Sequence, residues 1–444
     1  METYANSIED HLIDGLTFKL DPTANYVVER QSVTYYTQGA NIYQSGTGSR
    51  VIRFSLSGNG QYLDPSTVRF VFTLKNEGAA NEILFPLGGP WSFFRRIRCY
   101  SGGGAVLEDI DYANRIHEMM HILTSTANRN NDAVESFGGF WDTDGTYGTT
   151  YSQLRQGQQK TVSFKPLFGI FNQPKYLPLQ FLPLTLEFEL VTSATDAIAT
   201  EIDQSTLFTP ATTSQAWSIS DCQIKADVIQ LDSGLNNEYS KHLLSGASIP
   251  INYCSYITQL QTTGNGDVAV NISRSCTRLK TLFINFDKAF TASTANNSIT
   301  QIYKPWNRFW HPMQLTDGNY DYTKELQVQV IIGNRTYPIM PIRSGAEAYY
   351  QLQKSLGIHG SAWHSISIDS LKKYMNDHFI IGLDTEKVLG ASFSGINCRQ
   401  DLLTVQVKGV NGTLAGATAP DQIYVVLNAD FIVEIRDTGV TVFD

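Results

Sequence analysis

Hydrophobic and polar residues alternate in short runs along the whole chain, and turn residues separate the runs. Examples are RVIRFSLSG from Arg50, TVRFVFTLKN from Thr67, DVAVNIS from Asp267 and LLTVQVKGV from Leu402. A period of two residues is typical of strands that bury one face, and Gly, Asn, Asp and Pro between the runs mark turns. The pattern predicts many short strands and few long helices, which favours β-sandwiches.

Two segments share one order of predicted elements, namely strand, glycine turn, strand and helix. They are FFRRIRCYSGGGAVLEDIDYANRIHEMMHIL, with Gly103 in its turn, and ELQVQVIIGNRTYPIMPIRSGAEAYYQLQKSLG, with Gly333. A second pair, QIKADVIQLD and VLNADFIVEIRD, carries Ala-Asp in the middle of a strand, at Ala226 and Ala429. The sequence therefore predicts one domain present twice.

The spacing of these landmarks predicts where the two copies differ. The turn glycines are 333 minus 103, or 230, residues apart, whereas the two alanines are 429 minus 226, or 203, apart. The first copy thus holds 27 more residues between the landmarks. We expect them in a long loop over 136–158, which is rich in Gly, Thr, Asp and aromatic residues.

A chain of 444 residues exceeds the size of one hydrophobic core, so two domains are expected. The predicted division is an N-terminal arm over 1–44, a first sandwich over 45–236, a linker over 237–246 and a second sandwich over 247–444. Leu235, Tyr239 and Leu243 follow one another at four-residue spacing, which predicts a short helix between the sandwiches. The fold class is therefore all-β, with short helices in loops.

The segment KYLPLQFLPLTLEFELV, residues 175–191, tests this interpretation because its apolar content also suggests a membrane span. Lys175, Glu187 and Glu189 interrupt the apolar run, and seventeen residues are too few to cross a bilayer. The alternation from Leu184 to Leu190 predicts a strand, and the two prolines before it remove ladder donors, so they set its entry.

Composition and charge narrow the function. Hydrophobic residues make up 42% of the chain, charged residues 17% and aromatic residues 11%, a balance that suits pleated, half-buried surfaces. The net charge of -9, with no basic block, argues against a protein that binds specific nucleic-acid sequences, although a local patch at Arg95, Arg96 and Arg98 stays open.

The five cysteines form no CxxC pair, which predicts buried thiols in a reducing compartment rather than disulfides or a zinc site. The first residues lack the basic start of a secretory signal, so we expect the chain to be made and kept in the cytosol or nucleus.

The sharpest enzymatic lead is HEMMH, formed by His117, Glu118 and His121. Two imidazoles one helical turn apart hold zinc in metalloproteases, where the glutamate acts as general base. The residues that follow, ILTSTANRN, supply no evident third ligand. The alternative is an amphipathic helix that buries Ile116, Met119, Met120 and Leu123, and this alternative is favoured.

Other candidate chemistry is weaker. SGTGSR and SGGGAV lack the residues of a phosphate-binding loop and are predicted to be turns. Aromatic residues beside arginines could stack on bases or sugars, but core and interface roles are more common for them; they are Trp91, Phe93, Phe94, Trp306, Phe309 and Trp310, beside Arg95, Arg96 and Arg308. No catalytic, cofactor-binding or metal-ligating residue is assigned. A sugar-binding tandem jelly roll stays open as an alternative.

Several of these segments together resemble the double jelly-roll major capsid proteins of icosahedral double-stranded DNA viruses, the lineage of adenovirus hexon, virophages, polinton-like viruses and adintoviruses. The resemblance lies in the order of the two strand-turn-strand-helix segments, YLPLQFLPLTLEFELV, SRSCTRLKTLFINF, HFIIGLDTEKVLGASFSGINCRQDLLTVQVK and VLNADFIVEIRDTGV. It covers roughly residues 45 to 444.

The resemblance implies two tandem jelly rolls and a structural protein without enzymatic activity or cofactors. It further implies a homotrimer that forms a pseudo-hexameric capsomer in the virion, assembled in the host cytoplasm or nucleus. Its expected partners are neighbouring capsomers, single jelly-roll penton proteins and minor capsid proteins, and the lineage allows an internal membrane beneath the shell.

Overall fold

A computed structural model describes residues 26–46, 49–84, 86, 88–137, 154–198, 214–263, 266–274, 276–287, 309–313, 326–358, 366, 368, 370–376, 378–388, 391, 393–410, 420 and 422–444. Most of the predicted loop, residues 138–153, and residues 1–25 of the predicted arm lie outside this description.

The N-terminal half contains a sandwich of two antiparallel sheets. Its strands are β1 (Val27–Tyr36), β2 (Ile42–Tyr43), β3 (Val51–Leu56), β4 (Gln61–Leu63), β5 (Arg69–Asn76), β6 (Ile83–Leu84), β7 (Phe94–Ser101), β8 (Val106–Asp111), β9 (Leu154–Arg155), β10 (Gln159–Phe164), β11 (Leu177–Pro178), β12 (Leu184–Leu190) and β13 (Trp217–Leu231). One sheet runs β1-β13-β5-β10, in which β2 and β4 pair with further stretches of β13 and β11 pairs with β4, and the other runs β3-β12-β7-β8.

The C-terminal half repeats the design. Its strands are β14 (Ile249–Thr262), β15 (Gly266–Ile272), β16 (Leu279–Asp287), β17 (Gln327–Ile332), β18 (Arg335–Ile342), β19 (Ile380–Asp384), β20 (Leu403–Val410), β21 (Gln422–Arg436) and β22 (Gly439–Phe443). Here the sheets run β14-β21-β16-β19 and β15-β20-β17-β18, and β22 pairs with β21.

The eight principal strands of each half pair in the same order. Numbered along each half, one sheet has the order 1-8-3-6 and the other 2-7-4-5. Eight antiparallel strands connected in this way form a jelly roll. The chain is therefore a tandem of two jelly rolls, which confirms the predicted all-β class and the duplication.

Five α-helices occur among the described residues, and they lie in the connections. They are α1 (Ala113–Ile122), α2 (Thr126–Glu135), α3 (Ser233–Leu244), α4 (Gly345–Ser355) and α5 (Leu371–Asn376). At the start of helix α4 the Ser344 side chain accepts the Glu347 N–H as an N-cap, and the Glu347 carboxylate accepts the Arg343 N–H, one residue before the position used in a capping box. Helices α1 and α4 follow the two glycine turns, as the repeated segments predict.

Residues 27–36 of the predicted arm form β1, which runs antiparallel along β13 with Val33 opposite Ala226. The strand thus belongs to the first sandwich rather than to a free arm. The predicted linker, 237–246, overlaps the second half of α3 and the turn after it. The residue bounds of the four predicted segments stay a prediction.

The strand predicted after the two prolines is β12. Leu184, Leu186, Phe188 and Leu190 are all buried and face the core. There the Phe188 ring lies 4.4 Å from the Phe70 ring, and Phe54 and Phe94 complete the cluster. The alternation in the sequence therefore translates directly into one apolar face of a central strand.

Candidate functional site

A buried contact joins the two sandwiches in the described part of the chain. Strand β14, at the edge of a sheet in the second sandwich, lies against β8 of the first and against a 3₁₀ turn at 169–171. The Tyr253 hydroxyl donates to the Leu107 carbonyl at 2.8 Å. Gly169 lies so close to β14 that a Cβ atom there would be 1.7 Å from the Cys254 carbonyl oxygen. Only glycine fits this position without a shift of the backbone.

Glu108 on β8 is the centre of this junction. Its carboxylate accepts the Gly169 N–H at 2.9 Å, the Ile170 N–H at 2.8 Å and the Ser255 hydroxyl at 2.6 Å. Burial raises the pKa of Glu108 to about 7, and the three hydrogen bonds oppose that rise because they favour the charged form. One side chain thus links β8, the 3₁₀ turn and the second sandwich.

A buried ion pair lies at the other end of the junction. The Arg115 guanidinium on α1 pairs with the Asp287 carboxylate at the end of β16, and both side chains are almost fully enclosed. The Arg115 guanidinium also lies 6.0 Å from the centre of the Tyr424 ring. The Tyr112 ring packs against the same Tyr424 ring, with centroids 5.4 Å apart. Removing one partner would leave a buried charge without compensation, so this pair constrains how the two sandwiches sit.

None of the four junction residues Glu108, Arg115, Gly169 and Asp287 was singled out from the sequence. One signal was available for Glu108, because it shares strand parity with Ile110 and so places a carboxylate on the inward face of VLEDID. The role of Gly169 depends on the approach of a strand about eighty residues later in the chain, which no local pattern encodes.

The HEMMH segment lies on α1 with its predicted apolar face buried. Ile116 and Met119 are fully enclosed. The His117 ring stacks on Trp91 with centroids 4.1 Å apart, and Glu118 accepts the Trp91 indole N–H at 2.8 Å. Burial, together with the nearby His121, lowers the pKa of His117 to about 3. The indole thus packs on the face of one HEMMH imidazole and hydrogen-bonds the glutamate that a metalloprotease would use as its base.

The remaining predicted aromatic residues divide between core and undescribed segments. Trp91, Phe93, Phe94, Phe309 and Trp310 are buried, whereas Trp306 and Arg308 lie outside the described residues. Arg95 and Arg96 pair with Asp111 and Asp109 on β8. The arginine patch is thus neutralised by carboxylates on the neighbouring strand.

The outer faces of the two sandwiches differ in charge. Glu187 on β12 lies directly opposite Arg53 on β3 and Arg98 on β7, with a distance of 3.1 Å from its carboxylate to Arg98. At the centre of the matching sheet in the second sandwich, Gln406 lies opposite Ala269 and Gln329. This central row is a set of ion pairs in the first sandwich and is uncharged in the second, where Lys408 lies two residues further along β20, opposite Gln327.

A groove of about 1060 Å³ opens between the first sandwich, α3 and the start of β14. Tyr62, Tyr176 and Tyr239 line it together with Leu235 and Ile249. The Tyr62 and Tyr239 rings pack 6.1 Å apart, so part of the aromatic lining is engaged by α3 itself.

Three further features concern the described part of the chain. No group of three or more His, Cys, Asp and Glu side chains there could hold a metal ion. No helix in those ranges is long and apolar enough to span a membrane. All five cysteines are free thiols, and Cys99, Cys222, Cys276 and Cys398 are buried, as the sequence predicted.

The fold can be compared with known proteins. No protein-family model and no curated protein sequence matches the chain. Solved structures do match. The PBCV-1 virus capsid, in a quasi-atomic model, aligns with a TM-score of 0.61 and 14% identity, over 96% of this chain and 98% of that chain.

Two further solved structures give the same result. The Sputnik virophage structure from cryo-EM aligns with a TM-score of 0.59 and 12% identity, over 98% of this chain and 93% of that one. The crystal structure of the mavirus major capsid protein aligns with a TM-score of 0.52 and 11% identity, over 97% and 93%. Identities this low show a common fold. The chain is therefore an all-β protein with the double jelly-roll fold, which it shares with these viral capsid proteins.

Proposed function

We propose that this chain is a major capsid protein that trimerises into pseudo-hexameric capsomers, which tile an icosahedral virus shell. The observation that carries the proposal is the pair of jelly rolls with identical strand order, joined by a buried junction. Two similar sandwiches in each of three chains give a six-cornered block from a three-fold assembly. The alignment over nearly the full length of viral capsid proteins supports the same function.

The physical character of the junction suits such a block. The Glu108 hydrogen bonds, the enclosed Arg115–Asp287 pair and the close approach at Gly169 fix one sandwich against the other. A shell subunit needs this rigidity because small rotations between its sandwiches would spoil contacts with its neighbours. In an enzyme or a binding protein with two domains, relative motion is the more common arrangement.

The proposal includes partners and location. The capsomer contacts neighbouring capsomers, penton proteins of the single jelly-roll type and minor capsid proteins in the virion, and an internal membrane is a further partner. Assembly takes place in the host cytoplasm or nucleus. The net charge of -9 argues that the chain does not bind the genome as its main partner. We assign it no enzymatic activity.

Light scattering on the purified protein tests the assembly. We expect a mass near three times 49.4 kDa, unchanged on dilution through the micromolar range, and electron micrographs of the expressed protein should show six-cornered particles or shells. A stable monomer at micromolar concentration would contradict the proposal.

Two assays separate this function from the other two classes. A zinc protease would retain one equivalent of zinc per chain after dialysis and lose it in His117→Ala. A sugar-binding protein would give a reproducible glycan-array signal that depends on tyrosines of the groove. We expect neither result, because Trp91 occupies the HEMMH helix face and α3 packs into the groove.

A further inference from the structure

Two of the five free thiols, those of Cys276 and Cys398, belong to neighbouring segments of the second sandwich. The Cys398 backbone N–H donates to the Cys276 carbonyl at 2.9 Å. Close by, Leu279 and Ile396 exchange both of their backbone hydrogen bonds in an antiparallel bridge. Facing residues of antiparallel segments have Cα atoms about 4.5–5.5 Å apart, and a disulfide spans about 4.4–6.8 Å. The backbone therefore holds the two cysteines at the spacing of a disulfide.

The side chains of the two cysteines also meet. Their thiols share a hydrogen bond, and the Cys398 sulfur lies 3.8 Å from the Ile396 carbonyl oxygen. Cys276 is 1% exposed and Cys398 is 2% exposed, so both sulfur atoms lie inside the protein. With the backbones close and the thiols in contact, a bond between the two sulfur atoms needs little movement of the chain.

The shared hydrogen bond makes the two thiols chemically unequal. It lowers the pKa of Cys398 and, together with burial and the Asp444 carboxylate, raises the pKa of Cys276, because a donated hydrogen bond stabilises the accepting thiolate. Burial and Asp401 oppose the lowering at Cys398, and the hydrogen bond outweighs them. Burial raises the pKa of the three other thiols, those of Cys99, Cys222 and Cys254. Cys398 is thus the most nucleophilic thiol of the chain, and Cys276 is its neighbour.

A covalent link at this position would join the two sheets of the second sandwich. Cys276 precedes β16, which belongs to the sheet β14-β21-β16-β19, and Cys398 precedes β20, which belongs to the sheet β15-β20-β17-β18. The link would close a loop of 398 minus 276, or 122, residues. Closing a loop this long restricts the unfolded chain strongly and so stabilises the folded one.

We propose that Cys276 and Cys398 are a redox-active dithiol, which a low-molecular-weight disulfide such as glutathione disulfide converts into a disulfide that fastens the two sheets together. The Cys398 thiolate attacks one sulfur of glutathione disulfide, forms a mixed disulfide and releases one glutathione thiolate. The Cys276 thiol loses its proton, attacks the Cys398 sulfur and releases the second glutathione thiolate. The protein gives up two electrons and two protons, and one glutathione disulfide becomes two glutathione thiols.

The surroundings of the pair decide where and when it reacts. Residues 399–402, directly after Cys398, are exposed, so a local opening of this turn brings the thiolate to solvent. The pair stays reduced in the cytosol and is oxidised outside it. In the proposed shell protein the link would form only after the particle leaves the cell, but the dithiol does not depend on that function, because both cysteines belong to one chain.

Counting thiols tests the pair. After denaturation, reduced wild type should react with five equivalents of a thiol reagent, and wild type equilibrated in the folded state with glutathione disulfide should react with five minus two, or three. Its intact mass should fall by two hydrogen atoms, which distinguishes a disulfide from a glutathione adduct. Trypsin without reductant should release residues 275–278 joined to residues 388–399. Dithiothreitol should restore all five thiols.

Serine variants supply the controls. Cys276→Ser and Cys398→Ser should each give no linked peptide. Cys222→Ser is the matched control, because Cys222 is also buried but lies on β13 of the first sandwich, and it should still form the link. In calorimetry, oxidation should raise the Tm of wild type and of Cys222→Ser by at least about 5 °C and leave that of Cys276→Ser unchanged.

Three results would overturn the proposal or part of it. Five thiols that persist after exposure to glutathione disulfide, and also to hydrogen peroxide, which oxidises two thiols to a disulfide with release of two waters, overturn the dithiol; the small peroxide reaches a buried sulfur without local opening. A linked peptide that contains Cys99, Cys222 or Cys254 overturns the pairing. A link between Cys276 and Cys398 without a rise in Tm overturns its role in fastening the two sheets.

Discussion

Gly169→Ala is the smallest change that tests the junction between the two sandwiches. The new Cβ atom would lie 1.7 Å from the Cys254 carbonyl oxygen, and atoms in folded proteins do not approach below about 3.0 Å in such contacts. The strand or the 3₁₀ turn must therefore move by about 1.3 Å. The backbone at Gly169 adopts an ordinary φ, so the effect of the substitution is purely one of space.

The cost follows from the hydrogen bonds that the shift would break. A displacement of this size lengthens the contacts from Ser255 to Glu108 and from Tyr253 to Leu107, now 2.6 and 2.8 Å, beyond hydrogen-bonding distance. Each such bond contributes about 1 kcal/mol, and each buried group left without a partner costs about 1–3 kcal/mol. We therefore expect a loss of about 3 kcal/mol in the free energy of unfolding. For a unit of about 200 residues this corresponds to a fall of roughly 6–12 °C in Tm.

Thermal unfolding measured by scanning calorimetry is the assay, and Gly103→Ala is the control. A Cβ atom at Gly103 would meet only the Ser101 hydroxyl, at 3.9 Å, so the control should match wild type or exceed it slightly. If Gly169→Ala unfolds within 1 °C, or roughly the assay's error, of Gly103→Ala, the close approach of β14 is wrong.

Three further expectations concern buried groups. Because the pKa of Glu108 is raised to about 7, the stability that this side chain contributes is fully present below about pH 4.5 and is lost as pH rises through about 7. Wild type should therefore have a lower Tm at pH 8 than at pH 5, and this difference should shrink in Glu108→Gln. Arg115→Met alone should cost about 3–5 kcal/mol in denaturant unfolding, and combining it with Asp287→Leu should recover most of that loss; equal stability of the single and double variants would contradict the pairing. Burial raises the pKa of the Cys99 thiol, and burial together with Asp430 raises the pKa of the Cys254 thiol to about 12. A thiol reagent at pH 8 should therefore modify these two cysteines rapidly only after unfolding. Rapid labelling of the native chain at either position would count against their placement.

The fold could be predicted from the sequence because the patterns that specify its strands are local and occur twice along the chain. The alternation from Leu184 to Leu190 predicts a strand by itself, and the Gly103 and Gly333 segments predict each other. The spacing of Ile116, Met119 and Leu123 in the HEMMH segment predicted one buried helical face, and all three residues are buried. Period and repetition need no knowledge of distant contacts.

The junction between the two sandwiches could not be predicted from the sequence, because its partners are far apart along the chain. Arg115 and Asp287 lie 172 residues apart, and nothing near either residue specifies the other. The extended region before residue 44 was predicted as an arm because its residues are polar, yet Val27–Tyr36 pairs with β13 as an edge strand. Only the second half of this edge strand is partly buried, at Val33 and Tyr35, so its apolar pattern is too short to reveal it.

The order of the two sandwiches along the chain has a consequence for how the protein is made. The first sandwich, with β8 and the 3₁₀ turn, leaves the ribosome before β14, so the second sandwich folds against a cover that is already present. Strand β1 is synthesised earlier than almost everything else in the fold. If it is covered by another chain, it must wait through the whole of synthesis for that chain to arrive. The newly made monomer would then carry one open strand edge, and the local concentration of nascent chains would decide between productive assembly and aggregation.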